Sequence, residues 1–564
     1  MTEYLELKAT DCKHCYKCIR NCPVKAIRVS NNQAAVMQEE CILCGRCFVS
    51  CPQNAKRIQN DLPKAQELLR GGVPVYVSLA PSFVANYPGA GIEDMEQALK
   101  KLGFAGAMET ALGATLVKQR YDAMVGAGER SVIVSTCCHT VNMLAERHYP
   151  GALPYMAPVI SPMQAHARSI RKRYPGAKVV FIGPCISKKA EAERYPDYVD
   201  CVLTFEELDA WLIEARIELP ADRRRGQEDR TKDAEGKTRL FPTVGGILRT
   251  MRQSNPDYNY IAIDGIDHCI AALKDIAAGG LEHCFIEMSA CSGSCIGGPC
   301  MSREAGLVRG TAQVHACAPG ADFEVEPLAA EEMEKHLRLN LQPRPVFGEK
   351  AITGVLQKIG KTKPEDELNC GSCGYDTCRE KAAAVLEGKA TLEMCLPYLM
   401  SKAQSFSDVI IRNTPNGIIV LNEDLEVRQI NEAARRILNV KREEDILSRG
   451  VTSLMDPALF LDAPGEGDSR EYLAEYGRFI KLTVVRDEEY GVIIGIMKDI
   501  TDTENARAVR REMADQTIRV TDEVIDKQMR TVQEIASLLG ETTAETKIAL
   551  TKLKETLRND QPVY

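Results

Sequence analysis

Residues 284–298 read CFIEMSACSGSCIGG. An apolar run of strand-like composition ends at Cys291, and a second thiol, Cys295, follows among glycines. Three other strand-like runs also lead into short motifs. SVIV leads into Ser135-Thr136-Cys137-Cys138, and KVVFIG into Pro184-Cys185-Ile186-Ser187-Lys188-Lys189. VPVYVS leads into Leu79-Ala80-Pro81-Ser82. Such runs alternate with helical stretches through residues 63–345, which is the pattern of α/β architecture. Loops at strand ends are where α/β folds keep their chemistry, so these cysteines can converge on one pocket. Glycines flanking Cys295 let the backbone approach a bulky inorganic ligand closely.

The whole chain has 564 residues and 22 cysteines, with 45% hydrophobic residues, 27% charged residues and a net charge of −8. It is too long for a small disulfide scaffold. Its N-terminus, MTEYLELKATDCKHC, has no apolar signal core. No apolar stretch approaches the ~18 residues that span a bilayer, so no membrane contact is expected. The weak acidic balance argues against nucleic acid as a partner. A cytoplasmic, reducing-compartment protein is expected, with cysteines that bind metal or do redox chemistry. Eight cysteines lie within residues 12–51, ten within 137–317, four within 370–395, and none follows Cys395. The divisions are 1–60, 63–345, 346–400, 405–502 and 503–564. The fold class is multidomain, α/β and α+β. The charge-dense stretch 218–239, with Arg223, Arg224 and Arg225, reads as a solvated loop, with a docking patch as the alternative.

The first segment contains CKHCYKCIRNCP and CILCGRCFVSCP, both C-x2-C-x2-C-x3-C-P. Three close thiolates can wrap three irons of a cubane while the fourth, before proline, reaches across to the other cluster. One [4Fe–4S] cluster is expected on Cys12, Cys15, Cys18 and Cys51, the other on Cys41, Cys44, Cys47 and Cys22. The segment resembles a bacterial two-cluster ferredoxin; a pair of zinc knuckles is the alternative. Its service is to carry electrons to or from something else.

The motifs of residues 70–345 resemble the three cysteine signatures of [FeFe]-hydrogenases. The resemblance implies that Cys138, Cys185, Cys291 and Cys295 hold a [4Fe–4S] cubane. Cys295 would bridge to a diiron subcluster carrying CO, cyanide and an azadithiolate. It also implies that Cys137 passes protons to the bridgehead amine and that Lys188 hydrogen-bonds an iron-bound cyanide. FPTVGGI, with Gly245 and Gly246, and CVLTFEEL around Thr204 agree with it. Three departures stand out. His139 replaces a proline. Gly183 and Ser289 replace methionines. ETALGATLVKQRYDAM offers Gly113, Ala114 and Val117 where an acidic relay is usual. A broken proton path implies slow turnover. These departures resemble the sensory branch of the family, associated with detecting hydrogen rather than metabolising it. Cys137 as a buried spare thiol, Lys188 as a surface lysine, and His139 as either polar lining or a replacement proton donor stay open. Cys201, Cys269, Cys284 and Cys317 read as structural, and Cys300 is unassigned.

Residues 370–395 have the spacing C-x2-C-x4-C-x16-C, with Cys370, Cys373, Cys378 and Cys395. The segment resembles the small [4Fe–4S] domain of corrinoid iron–sulfur proteins, with a zinc site as the alternative. It is expected to be a redox link between the large domain and the cysteine-free C-terminal segments. Residues 405–502 read as helix, turn and strands, and resemble a PAS domain. They contain no Cys and no His, which excludes a cysteinyl flavin and a His- or Cys-ligated haem. Ala514, Ile518, Thr521, Ile525, Gln528, Val532, Ile535 and Leu539 form a heptad seam, and a second helix is expected over 541–557 after a break at Gly540. A homodimer through this seam is expected; packing on the chain's own domains is the alternative. All eight histidines lie at or before His336, so the tail has no phospho-acceptor histidine.

The resulting expectation is a hydrogenase of low turnover that senses hydrogen or redox state. It would act on H2 and protons, exchange electrons with a ferredoxin-like partner, and signal to a separate phosphatase or kinase. A ferredoxin-coupled catalytic hydrogenase and an electron-transfer protein lacking the diiron unit are the alternatives.

Overall fold

The computed structural model describes residues 3–8, 11–30, 33–220, 235–253, 255–302, 304, 306–318, 320–342, 345–461, 468–539 and 543–559. Arg223, Arg224, Arg225 and Gly540 lie outside these. The chain divides into two compact units, residues 1–399 and 400–564. Among the described residues no helix is long and apolar enough to cross a membrane.

The first unit begins with two antiparallel strand pairs, Leu5–Leu7 with Lys56–Ile58 and Ile27–Ser30 with Gln33–Val36. Two four-residue helices, Lys17–Arg20 and Arg46–Val49, carry Cys18 and Cys47. Each cysteine repeat is thus a loop followed by one helical turn.

Residues beyond 62 build two separate parallel sheets. One has the order Gly106–Glu109, Val75–Leu79, Lys178–Gly183, Cys201–Thr204. The other runs Asn259–Asp264, Cys284–Ser289, Val132–Val134. The central strands are buried on both faces: Val75, Val77, Leu79, Val179, Val180 and Ile182 are at most 2% exposed. This explains their continuous apolar composition. Helices cover the sheets and start at well-formed caps. Ser161 and Gln164 form a capping box at Pro162–Arg173, and Thr204 and Glu207 form one at Phe205–Glu214. The sheet ends deliver Cys138, Cys185 and Cys291 to one region from two sheets.

Residues 349–399 add helices Glu349–Lys358 and Cys378–Leu386, with Thr377 and Glu380 boxing the second. Their core is Val355, Leu356, Ile359, Ala382 and Cys395.

The second unit holds a five-stranded antiparallel sheet of strands Gly417–Asn422, Val427–Ile430, Asp468–Leu473, Arg478–Asp487 and Val492–Asp499. In space these lie in the order second, first, fifth, fourth, third. Asn431 is the N-cap of helix Glu432–Ile437, accepting from Ala434 N, and its Oδ1 also accepts from Ile418 N, each at 2.8 Å. Helix Thr501–Leu539 comes next, and Thr543–Asn559 lies along it with Lys554 paired to Asp522 at 3.0 Å. Ala514, Ile518, Thr521, Ile525 and Val532 are half-buried, whereas Gln528 and Ile535 are exposed. The chain's own second helix therefore packs along the helix that carries the expected seam.

Candidate metal centres

Cys12, Cys15, Cys18 and Cys51 line one void, as their spacing implies. Cys370, Cys373, Cys378 and Cys395 line another. Cys22, Cys41, Cys44 and Cys47 lie within mutual electrostatic reach. Burial and the neighbouring thiols push Cys41 and Cys44 up to about 12. These thiols stay protonated until a metal displaces the proton. Among the described residues no three Cys, His, Asp or Glu side chains close on a single-ion position. Sulfurs ringing a void suit a cubane better than one zinc ion.

The central cavity, about 120 Å³, opens between the ends of the two parallel sheets. Cys137, Cys138, Cys185, Lys188 and Cys295 all line it. Cys291 is not on that lining, but Cys185, Cys138 and Cys295 are its electrostatic neighbours. The donor set therefore fits a cubane, with Cys138, Cys185 and Cys295 on the cavity wall and Cys291 beside them.

Lys188 is half-buried among charges rather than lying on the surface. Its Nζ donates to the Cys137 carbonyl at 3.2 Å and to Glu191, while Lys335 donates to Glu191 Oε1 at 2.9 Å. Burial raises the Glu191 carboxyl, but Lys188 and Lys335 outweigh it and hold Glu191 well below the usual range. Burial lowers Lys335, whereas Glu191 overcomes the burial of Lys188 and raises it. Lys188 therefore stays an ammonium at the cavity wall. Lys189 turns away, to Asp61 at 2.8 Å and Glu207 at 2.9 Å.

Cys137 is pushed up to about 12, chiefly by burial, and so carries its proton at neutral pH. The Tyr121 hydroxyl lies 3.4 Å from its sulfur and accepts from Thr136 N at 3.0 Å. His139 lines the same cavity with a buried, unpartnered Nδ1, and burial lowers it to about 3. Its ring is therefore uncharged across the physiological range. Glu287, also on the wall, accepts from Leu248 N at 3.1 Å, and burial raises it to about 7.

At Gly113, where an acidic side chain is expected from the resemblance, there is no space for one. A Cβ on Gly113 would lie 2.2 Å from Pro162 O and 2.6 Å from His166 N. Helix Pro162–Arg173 occupies the place of any side chain there. The acids nearby are engaged, Glu109 with Arg239 at 2.7 Å and Asp122 with Lys118 at 3.3 Å. Beside Gly183 a Cβ would meet the Phe181 ring at 2.8 Å, so that ring takes space a larger residue would need. Cys201, Cys269, Cys284, Cys300 and Cys317 are buried in the apolar clusters. Tyr121, Glu191, Glu287 and Lys335 carry no motif that marks them in the sequence.

Three families match the chain. Residues 73–299 match the iron only hydrogenase large subunit, C-terminal domain; residues 4–61 match a 4Fe-4S dicluster domain; residues 366–397 match an Fe-S cluster family. The chain thus carries a hydrogenase-type large-subunit domain with iron–sulfur domains on either side. Iron hydrogenase 1 of Clostridium pasteurianum is 23% identical over 283 residues, 40% of this chain and 49% of that protein. The cytosolic Fe-S cluster assembly factor NAR1 of Eremothecium gossypii is 31% identical over 157 residues, 25% of this chain and 35% of that protein. The chain thus spans half or less of these relatives. A solved variant of [FeFe]-hydrogenase HydA1 from Chlamydomonas reinhardtii has a TM-score of 0.39 and 16% identity, covering 50% of this chain and 100% of that one.

Proposed function

We propose that this chain is a hydrogen- or redox-responsive iron–sulfur oxidoreductase. H2 and protons react in the central cavity, electrons leave through the cysteine-bound sites, and the second unit reports the state to a separate output protein. One observation carries the reading: Cys137, Lys188, Cys138, Cys185 and Cys295 line a single cavity although they come from separate loops. When bound, a diiron group with CO, cyanide and azadithiolate ligands would supply the hydrogen chemistry there. The residues' own tasks are separable. The four cysteines hold the metal. Lys188 offers an ammonium to an anionic ligand in a water-poor wall. Cys137 Sγ holds a proton, and Tyr121 orients that thiol. With Gly113 closed to any side chain, proton exit is slow, which favours sensing over turnover.

The second-first-fifth-fourth-third strand order of the C-terminal sheet supports a PAS reading of residues 405–502. Exposed Val509, Met513, Val520 and Val524 on the long helix support a homodimer through that stripe. Signalling needs a state-dependent free-energy difference, not connectivity alone. Infrared spectra of anaerobically matured protein under hydrogen and argon test both parts. CO and cyanide bands that move with hydrogen are expected. Bands that ignore hydrogen would remove the sensing claim.

A second reading is an iron–sulfur protein without the diiron unit. The blocked position at Gly113 and the similarity to the assembly factor NAR1 favour it. Absence of the CO and cyanide bands in matured protein would select it.

A further inference from the structure

The small cysteine-bearing segment packs on the N-terminal one. Arg20 Nη1 donates to the Ser372 carbonyl at 3.2 Å, and Val29 N donates to the Lys389 carbonyl at 2.9 Å. Lys389 Nζ pairs with Glu40 at 2.8 Å. Gly374 has φ +92°, and a Cβ there would stand 2.9 Å from Ile19 Cγ2 and 3.1 Å from Arg20 N. The loop after Cys373 therefore presses on the helical turn between Cys18 and Cys22. The next residue, Tyr375, is buried with an unpartnered hydroxyl, and Cys373 and Cys22 are both within its electrostatic reach.

Two further neighbour relations complete the arrangement. Cys47 is within reach of Cys18, which belongs to the first N-terminal set. Cys291, of the large-domain set, is within reach of Cys44. Arg46 pins this junction with two hydrogen bonds to Asp267, at 2.9 and 2.6 Å. The set Cys22, Cys41, Cys44 and Cys47 thus borders all three others. Its Cys22 and Cys47 are buried, whereas each of the other three sets has one exposed thiol, Cys15, Cys295 and Cys370.

We propose that the Cys22/Cys41/Cys44/Cys47 site is a three-way electron junction. One branch enters from the Cys12/Cys15/Cys18/Cys51 site, and a second enters from the small-domain site past Tyr375. The small domain is then a separate port for electrons from a low-potential one-electron carrier. In each transfer one site loses an electron and its neighbour gains it; no bond forms or breaks and no proton moves. The inference rests on reading the four cysteine sets as cubane sites.

The test uses the full chain, reconstituted with iron without oxygen and reduced with dithionite. Wild type is compared with a Cys373→Ser/Cys378→Ser double variant by iron analysis and low-temperature electron paramagnetic resonance. The variant should lose about four irons, one cubane. The spectrum lost with them should be split or broadened by magnetic coupling to a neighbouring reduced site. Loss of about four irons together with a simple, uncoupled signal overturns the junction while leaving the cubane assignment standing. Unchanged iron content overturns the small-domain cubane, and the junction with it.

Discussion

Lys188 Nζ donates to the carbonyl oxygen of Cys137 at 3.2 Å, joining a helix after one parallel sheet to a loop after the other. The ammonium that faces the cavity and the thiol that faces it are therefore placed by one hydrogen bond. Glu191 completes the device by keeping that ammonium charged.

Replacing Lys188 by Met keeps the bulk and removes the charge. Glu191 would then rely on Lys335 alone. Breaking a buried pair should lower stability by about 3 kcal/mol. Denaturant unfolding measures it, and iron content should stay unchanged because no ligand is removed. Equal stability of variant and wild type would contradict the buried pairing.

Cys137→Ala should keep all cubane iron and lower hydrogen–deuterium exchange by about 100-fold, the lower range for a positioned acid–base group. Gas-phase mass spectrometry of matured protein reads the exchange. Wild-type exchange in the variant would assign Cys137 to packing alone.

Tyr121→Phe removes the hydroxyl that accepts from Thr136 N and contacts the Cys137 sulfur. A buried amide left unpaired should cost roughly 1–3 kcal/mol in unfolding free energy. A loss well under that would show that Thr136 N finds another partner.

Glu287 gives stability a pH dependence. Its carboxyl rises from 4.5 to about 7 on folding, because burial disfavours the charge. The folded state therefore holds a proton that the unfolded chain releases between these values. Its contribution is full below pH 4.5 and lost as pH rises through 7. Relative to Glu287→Gln, wild type should lose roughly 3 kcal/mol between pH 4.5 and 8. Denaturant titrations at the two pH values decide it; a constant difference would rule the shift out.

In the second unit, Asn431→Ala removes acceptance from Ile418 N and Ala434 N and donation to Ile411 O and Asn416 O. Loss of the cap alone should cost about 1 kcal/mol. Faster hydrogen exchange in peptides of strand Gly417–Asn422 and helix Glu432–Ile437 is expected. Unchanged protection there would mean that the helix start does not depend on this side chain.

Much of the metal-binding framework is legible in the chain itself. The triplets Cys12/Cys15/Cys18 and Cys41/Cys44/Cys47 are nearly self-contained, because each shares a loop and its one-turn helix. The strand ends before Cys138, Cys185 and Cys291 are equally plain, since strands buried on both faces need unbroken apolar runs. Asn431 ahead of its helix agrees with the polar turn chemistry of that segment.

Other features depend on pairs far apart in the chain. Nothing in ETALGATLVKQRYDAM marks Gly113 as the place where another helix passes, or Tyr121 as a partner of Cys137. Lys335 ends the charged run EEMEK, yet it is buried on Glu191. The small segment's contact with the N-terminal one joins residues more than 300 positions apart, such as Arg20 and Ser372. The energies of these contacts come from exclusion of water and from the charges that meet there. Neither exists until the chain has packed. Local spacing selects which residues can hold metal, and packing selects which charged and proton-bearing groups surround it.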